Sequence, residues 1–159
     1  MCGSTGGVQS PIRSRETGRR IPARLPPIEV GVTSQRGVDH ALLRLQGRWL
    51  MVGGARDGRP FPPSLVQRSE RVTEGEETLV RIDGQLLQCA SFVMHPELEP
   101  VGIDLTITAG PGKGQTQLGI CDLEGDRLRL CLASTGAPRP RAFGSTPGDG
   151  CTFSEWRRP

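Results

Sequence analysis

The chain has 159 residues, about the length of one domain, and its glycine (22) and proline (14) content disfavours long helices. Only 35% of the residues are hydrophobic and the formal net charge is +3, so one modest core is expected. No run of residues reaches the length of about 20 apolar residues that a membrane span needs. The composition favours a soluble, turn-rich, mostly β domain and argues against a membrane-spanning helix.

The cysteines and histidines do not form a recognisable metal or disulfide pattern. The chain has five cysteines without a C-x-x-C pair, and its two histidines have no partner at the spacing of metal ligands. Because the chain starts with polar sequence rather than an apolar signal segment, we expect reduced thiols and a cytoplasmic location. We predict neither a metal site nor a cofactor.

Residues 1–36 are predicted to form a flexible basic arm, and residues 37–159 to form the folded domain. The arm is rich in glycine, proline, serine and arginine, shows no apolar period, and carries six arginines against two glutamates. A basic arm can contact a polyanion, but this one has no aromatic residue on which a base would stack. Nucleic acid is therefore not an expected partner, and we interpret the arm as a solvated tail.

After the arm, the sequence predicts a short helix followed by strands. Asp39 can cap a helix that runs through Gln46 and ends at Gly47. The pairs Asp57-Gly58 and Asp83-Gly84 are typical of tight hairpin turns. Alternating apolar and polar residues indicate eight strands, at 48–52, 69–74, 77–82, 85–94, 102–109, 115–123, 127–134 and 151–158.

Short turns between most of these strands favour one all-β architecture over another. Eight sequential antiparallel strands with one apolar face can close into a barrel, which covers that face and removes the exposed edges. A two-sheet sandwich is the alternative, but the consecutive hairpins give no indication of a Greek-key crossover. We predict an eight-stranded antiparallel up-and-down barrel with a short N-terminal helix.

The first strand opens with a motif that narrows this prediction. Gly47-Arg48-Trp49 follows the predicted helix, and a G-x-W at this position resembles the signature of the lipocalin-like barrels. The resemblance implies that Trp49 closes one end of the barrel and that an arginine of the last strand packs over its ring. Arg157 and Arg158 both stand at the matching position, and the sequence leaves the choice between them open.

Further segments of the domain narrow the resemblance: Leu45–Trp49, Asp57-Gly58, Ile103–Thr108, Gly110–Gly114, Leu118–Ile120, Gly125–Cys131, Arg139-Pro140 with Phe143, and Pro147-Gly148. With these segments, residues 39–158 resemble a family of small bacterial lipocalin-like domains that is abundant in planctomycetes. This chain has Cys121 where an aromatic residue commonly follows the Gly-Ile of the sixth strand. The resemblance implies the fold but no activity, since the family has no assigned reaction.

The favoured function is binding of a small, mostly apolar or amphipathic molecule inside the barrel. A barrel of eight strands is either packed solid or holds one small ligand, and this chain has only four phenylalanines and two tryptophans to fill it. A filled, purely structural barrel is the alternative. The predicted lining residues are Met51, Val80, Ile82, Phe92, Met94, Leu105, Ile107, Leu118, Ile120, Leu130 and Leu132.

The ligand is expected to enter at the end opposite Trp49. Two long connections, Arg59–Ser64 and Thr135–Gly150, are predicted to form that mouth. The second carries Arg139, Arg141 and Phe143, which suit a ligand with an anionic head and an apolar body.

An enzyme is the alternative function. A barrel cavity can fold and desolvate a reactive substrate and so catalyse its cyclisation or isomerisation. The period of two along strands puts Glu70 on the face of Val72, and Glu155 on the face of Phe153. If those faces point inward, burial would raise the pKa of both carboxyls, as a catalytic acid or base requires. A third hypothesis is an interaction module recruited through the arm, and the oligomeric state stays open.

Overall fold

The computed structural model describes residues 28–159, with side chains from residue 37 onward. The chain divides into two compact units, Met1–Thr33 and Ser34–Pro159, and all the strands belong to the second. The elements in chain order are α1 (Ile28–Leu45), β1 (Gly47–Arg56), β2 (Arg59–Pro60), α2 (Pro63–Arg68), β3 (Ser69–Glu74), β4 (Glu77–Ile82), β5 (Gln85–His95), β6 (Val101–Ala109), β7 (Thr116–Glu124), β8 (Arg127–Leu132) and β9 (Thr152–Arg157).

The strands close into a barrel, as predicted. Each strand from β3 onward pairs with its successor in the chain, β1 pairs with β3, and β9 returns to pair with β1. Every pairing is antiparallel, and the two-residue β2 pairs only with Ala55 and Arg56 at the end of β1. Eight strands therefore form a closed up-and-down barrel rather than a sandwich.

The two predicted hairpin turns adopt the backbone that their sequences favour. Asp57 and Asp83 have φ values of 51° and 56°, and the glycines that follow them have 79° and 77°. Positive φ at both central positions is the type I′ geometry, whose twist matches that of the flanking strands.

The helices depart from the prediction. Helix α1 begins at Ile28, within the segment assigned to the arm, so Asp39 lies inside the helix and does not cap it. Residues 1–27, the rest of the predicted arm, lie outside the described residues. Helix α2 was not predicted at all: Pro63 begins it, because the fixed φ of proline suits the first helical position.

The register of the strands decides which side chains point into the barrel. Trp49 pairs with Arg71, and Leu128 pairs with Trp156, and partners that lie directly opposite share a face. The buried cluster on the inner face contains, or has packed against it, Met51, Val80, Phe92, Met94, Leu105, Leu130 and Leu132.

Two predicted lining residues lie on the outer face instead. Ile120 pairs with Cys131 and Leu118 with Asp104, whereas the inner face of β7 carries Gly119 and Cys121. Ile120 is nevertheless 1% exposed. Apolar residues occur on both faces of β7, because a loop covers its outer face and the core covers its inner face. The sequence of β7 therefore does not show which of its apolar residues point inward.

Candidate ligand-binding site

The interior of the barrel is filled. Its internal cavity has a volume of about 10 Å³, close to the smallest that holds one water. Three of the predicted lining residues, Phe92, Leu105 and Leu130, bound this cavity, and it is too small to hold a ligand. The cavity is bounded by Leu45, Arg71, Thr73, Thr78, Phe92, Ile103, Leu105, Leu128 and Leu130.

A much larger cavity lies at the end of the barrel that carries α1. It has a volume of about 470 Å³, within the range of about 300–1,000 Å³ typical of ligand pockets, and it is open to solvent on one side. We call it the end cavity. Its apolar lining residues include Ala41, Met94, Pro96, Pro100, Val101, Cys121, Leu123 and Phe143, and its polar ones His40, Arg44, Glu99 and Asp122.

The second half of α1 forms one wall of the end cavity because it is anchored to the barrel. Leu45 is 3% exposed and packs into the core, with Ala41 and Leu42 beside it. The Arg44 guanidinium donates a hydrogen bond to the carbonyl oxygen of Leu123 over 2.9 Å. The carbonyl oxygen of Leu45 accepts a hydrogen bond of 2.9 Å from Trp49 Nε1. The end cavity therefore lies at the end of the barrel that was predicted to be closed, beside Trp49, and not at the opposite end.

Trp49 and Arg158 form the contact implied by the G-x-W motif. Trp49 is fully buried, and the Arg158 guanidinium lies 4.0 Å from the centre of its ring. The same guanidinium donates hydrogen bonds to the carbonyl oxygens of Gln46 (2.8 Å) and Arg44 (2.6 Å). Arg157 is exposed on the other face of β9. The glycine of the motif has a φ of 105° between α1 and β1, where a side chain would be strained.

The loop from Thr135 to Gly150 crosses the outer face of the barrel and contributes one side chain, that of Phe143, to the end cavity. Arg139 makes an ion pair of 2.8 Å with Asp104 and donates to the carbonyl oxygen of Gly119 over 2.8 Å. Phe143 lies with its ring 4.4 Å from the guanidinium of Arg129 and reaches the end cavity. Of the three predicted head-group residues, then, only Phe143 lines the cavity; Arg139 is engaged on the outer face, and Arg141 is exposed without lining it.

Asp104 is the centre of a small charged cluster under this loop. Its second oxygen lies 2.9 Å from His95 Nε2. Partial burial works to raise the pKa of Asp104, but the hydrogen bonds from His95 and Arg139 outweigh it, and the pKa lies below its ordinary value. The cluster fastens the loop to β5 and β6, and His95 does not line the end cavity.

Both predicted catalytic glutamates lie outside the barrel. Glu70 contacts Arg48 at 2.6 Å and Arg81 at 3.4 Å, and the hydrogen bond from Arg48 holds its pKa below the ordinary value rather than above it. Glu155 makes an ion pair of 3.1 Å with Arg127. Their strands turn the opposite faces inward, so neither carboxylate is available for acid–base chemistry in the interior.

The inner face of β3 carries an arginine that the sequence interpretation missed. Arg71 is 8% exposed, lies 4.8 Å from the centre of the Trp156 ring, and donates a hydrogen bond of 3.1 Å to Thr78 Oγ1. Burial lowers its pKa to about 10, so it stays protonated at neutral pH. One signal was present in the sequence: the alternative face of β3 carries two glutamates, which are costlier to bury than one arginine between hydroxyls.

The thiols of the described residues are free, and loss of solvent around two of them makes them unreactive. Burial raises the pKa of Cys121 to about 12, and that of Cys151 to about 11. Thiolates are the reactive form, so neither suits nucleophilic catalysis at neutral pH. Between residues 28 and 159, the structure contains neither a His, Cys, Asp and Glu cluster placed to hold a metal ion nor a helix apolar and long enough to cross a membrane.

The fold and the cavity define a closed eight-stranded antiparallel β-barrel with a helix-walled cavity at one end. Comparisons of the chain with family models, with curated proteins and with solved structures find no match.

Proposed function

We propose that this protein binds a small amphipathic molecule in the end cavity of a lipocalin-like barrel. The observation that carries the proposal is the cavity itself, with its volume of about 470 Å³ and its mixed lining. The binding function is the one favoured from the sequence, but the site moves from the filled interior to the end beside α1.

The lining supports an amphipathic ligand rather than a wholly apolar one. Met94, Val101 and Leu123 belong to or pack against the barrel core, and they form an apolar floor. His40 and Arg44 are exposed at the wall formed by α1. An apolar body would bury its surface against the floor, at about 25 cal/mol per Å², while a polar group stays near the wall and solvent.

The positions of the two predicted catalytic glutamates give no support to the enzymatic alternative. A cyclase or isomerase would need an acid or base directed at its substrate, and the glutamates predicted for that role lie outside the barrel. Asp122, which lines the end cavity, makes an ion pair of 2.8 Å with Arg129. Binding is therefore the function that the geometry supports best.

A neutral fluorescent probe and two variants of α1 test the proposal. We expect N-phenyl-1-naphthylamine to bind with enhanced emission, since its apolar rings suit the floor of the cavity. Ala41→Phe places a ring in the cavity and should weaken binding at least tenfold. Leu43→Phe is the matched control, because Leu43 is 72% exposed on the same helix and does not line the cavity.

Equal binding by wild type, Ala41→Phe and Leu43→Phe, with all three showing the same circular dichroism, would place the probe elsewhere and contradict the proposal. Absence of any saturable binding to the wild-type protein would also contradict it. If Ala41→Phe does not fold, the wild-type titration still decides whether an apolar site exists.

A further inference from the structure

Arg71 is a cation enclosed in the barrel, and no carboxylate among the side chains described for residues 37–159 forms an ion pair with it. Its side chain contacts the Trp156 ring and the Thr78 hydroxyl, and its Nε has no hydrogen-bond partner among the described residues. The arginines that make ion pairs within residues 37–159 are others, on the outer face of strands, at the end of α2 and in the loop after β8. The nearest carboxylates along β3 belong to Glu70 and Glu74, on the opposite face of the strand.

This arrangement is costly for a protein whose barrel is only a scaffold. A buried charge costs several kcal/mol unless a partner and hydrogen bonds offset the loss of water. A ring contact and one neutral hydrogen bond recover part of that cost. A methionine or leucine would fill the same space without it, so the guanidinium requires a reason other than packing.

We propose that Arg71 binds the carboxylate of the amphipathic ligand, whose apolar body lies in the end cavity. This inference rests on the proposed function and names the ligand class, an amphipathic monocarboxylate. The planar guanidinium presents parallel N–H donors that match a carboxylate, and the unpartnered Nε is one of them. The hydroxyl of Thr73, which lies 3.1 Å from that of Thr78 beside Arg71, adds one neutral donor, whereas Thr78 already donates to the carbonyl oxygen of Val72 over 3.3 Å.

One layer of side chains separates Arg71 from the end cavity. Phe92 and Ile103 bound the small cavity beside Arg71, while Met94 and Val101, two residues along the same strands, line the end cavity. Two residues of a strand span about 7 Å, which is the length of a short alkyl chain. Met94 is unbranched and flexible, and a change of its rotamer would join the two spaces.

Entry of a carboxylate by this route requires the interior to open. The space beside Arg71 is about 10 Å³ and holds no carboxylate until the Met94 layer moves. Binding would then replace a packed methionine by the alkyl chain of the ligand, and the lone cation would gain its anion.

The test compares octanoate with 1-octanol, which share an alkyl chain and differ in head-group charge. An apolar pocket without a cation prefers the alcohol, because a carboxylate loses more hydration. Isothermal titration of the wild-type protein should show octanoate binding at least tenfold tighter than 1-octanol. The Arg71 Nε–H resonance should shift on addition of octanoate.

Two variants distinguish a specific role of Arg71 from the effect of the overall positive charge of the protein. Arg71→Gln removes the enclosed cation and should abolish or reverse the preference for octanoate. Arg48→Gln is the matched control, because it removes one positive charge from the outer face, where the Arg48 side chain is 58% exposed. It should leave the preference unchanged.

The outcomes distinguish the two proposals. Equal or weaker binding of octanoate than of 1-octanol overturns the role of Arg71 and leaves the end cavity as a site for neutral ligands. A preference for octanoate that persists in Arg71→Gln also overturns it. Failure of both amphiphiles to bind, and of the neutral probe, overturns both proposals. Because the wild-type comparison needs no variant, the inference can be refuted even if Arg71→Gln does not fold.

Discussion

Truncation of Trp49 should destabilise the barrel and remove one of the contacts that hold α1 against it. Trp49 is fully buried, stacks with Arg158 at 4.0 Å, and donates a hydrogen bond to the carbonyl oxygen of Leu45. Removal of a buried aromatic side chain costs about 3–5 kcal/mol, and loss of the hydrogen bond adds about 1 kcal/mol. That sum is a large part of the roughly 5–15 kcal/mol by which a domain is stable. Urea unfolding followed by far-ultraviolet circular dichroism measures the loss in Trp49→Ala.

A pair of neighbouring arginines provides the control for this prediction. Arg158→Gln removes the ring contact and two hydrogen bonds to the carbonyl oxygens of Gln46 and Arg44, so it should cost about 1–3 kcal/mol. Arg157→Gln, one residue away and exposed, should cost less than about 0.5 kcal/mol. A loss below about 1 kcal/mol in Trp49→Ala, or equal losses in the two arginine variants, would refute the reasoning about this end of the barrel.

Two further predictions follow from the pKa directions. Because the pKa of Asp104 is lowered in the folded state, its ion pair with Arg139 and its hydrogen bond with His95 contribute stability above the ordinary carboxyl pKa, and that contribution is lost as the pH falls through the folded value. Asp104→Asn should therefore lower the free energy of unfolding by about 1 kcal/mol at pH 7, as urea unfolding would show, and by less at pH 3. A loss of stability that is the same at both pH values would contradict the role of the carboxylate. Cys121, whose pKa is raised to about 12, should resist iodoacetamide at pH 8 in the folded protein and react after denaturation, as peptide mass spectrometry would show. Labelling of folded Cys121 at the rate of a free thiol would contradict its burial.

Most of the barrel could be predicted from the sequence because local signals and closure agree. Alternation along residues such as Ile103, Leu105 and Ile107 fixes a strand, and an Asp-Gly pair between two strands fixes a hairpin. When eight such strands follow one another with short turns, closure into a barrel gives the backbone hydrogen-bonding groups of the two edge strands their partners. The observed strand bounds accordingly lie close to the predicted ones, apart from β1, which continues to Arg56.

The faces of the polar strands could not be predicted, because alternation does not say which set points inward. On β3 the inner set is Ser69, Arg71 and Thr73, and the sequence interpretation instead considered Glu70 with its apolar neighbour Val72. The choice is made by cross-strand pairing, which places Arg71 opposite Trp49 and within reach of the Trp156 ring. Those partners lie more than twenty and more than eighty residues away in the chain, so no local pattern contains them.

The position of the end cavity could not be predicted from the sequence either. It depends on where α1 rests on the barrel, which Arg44, Leu45 and Trp49 fix through tertiary contacts. It depends as well on the loop from Thr135 to Gly150, which the ion pair between Arg139 and Asp104 holds against the outer face. From the sequence alone, an arginine in a proline-rich loop can equally bind a ligand or form an ion pair with a carboxylate of the protein itself.

The most direct test of ligand binding at the end cavity is nuclear magnetic resonance mapping of the neutral probe on the wild-type protein. With methyl groups labelled, saturation with N-phenyl-1-naphthylamine should shift the signals of Ala41, Val101 and Leu123, which line the cavity. The signals of Leu87 and Val93, which are exposed at 45% and 59% away from it, should stay in place. Shifts confined to Leu87 and Val93, or no saturable shift at Ala41, Val101 and Leu123, would contradict the assignment of the end cavity as the binding site.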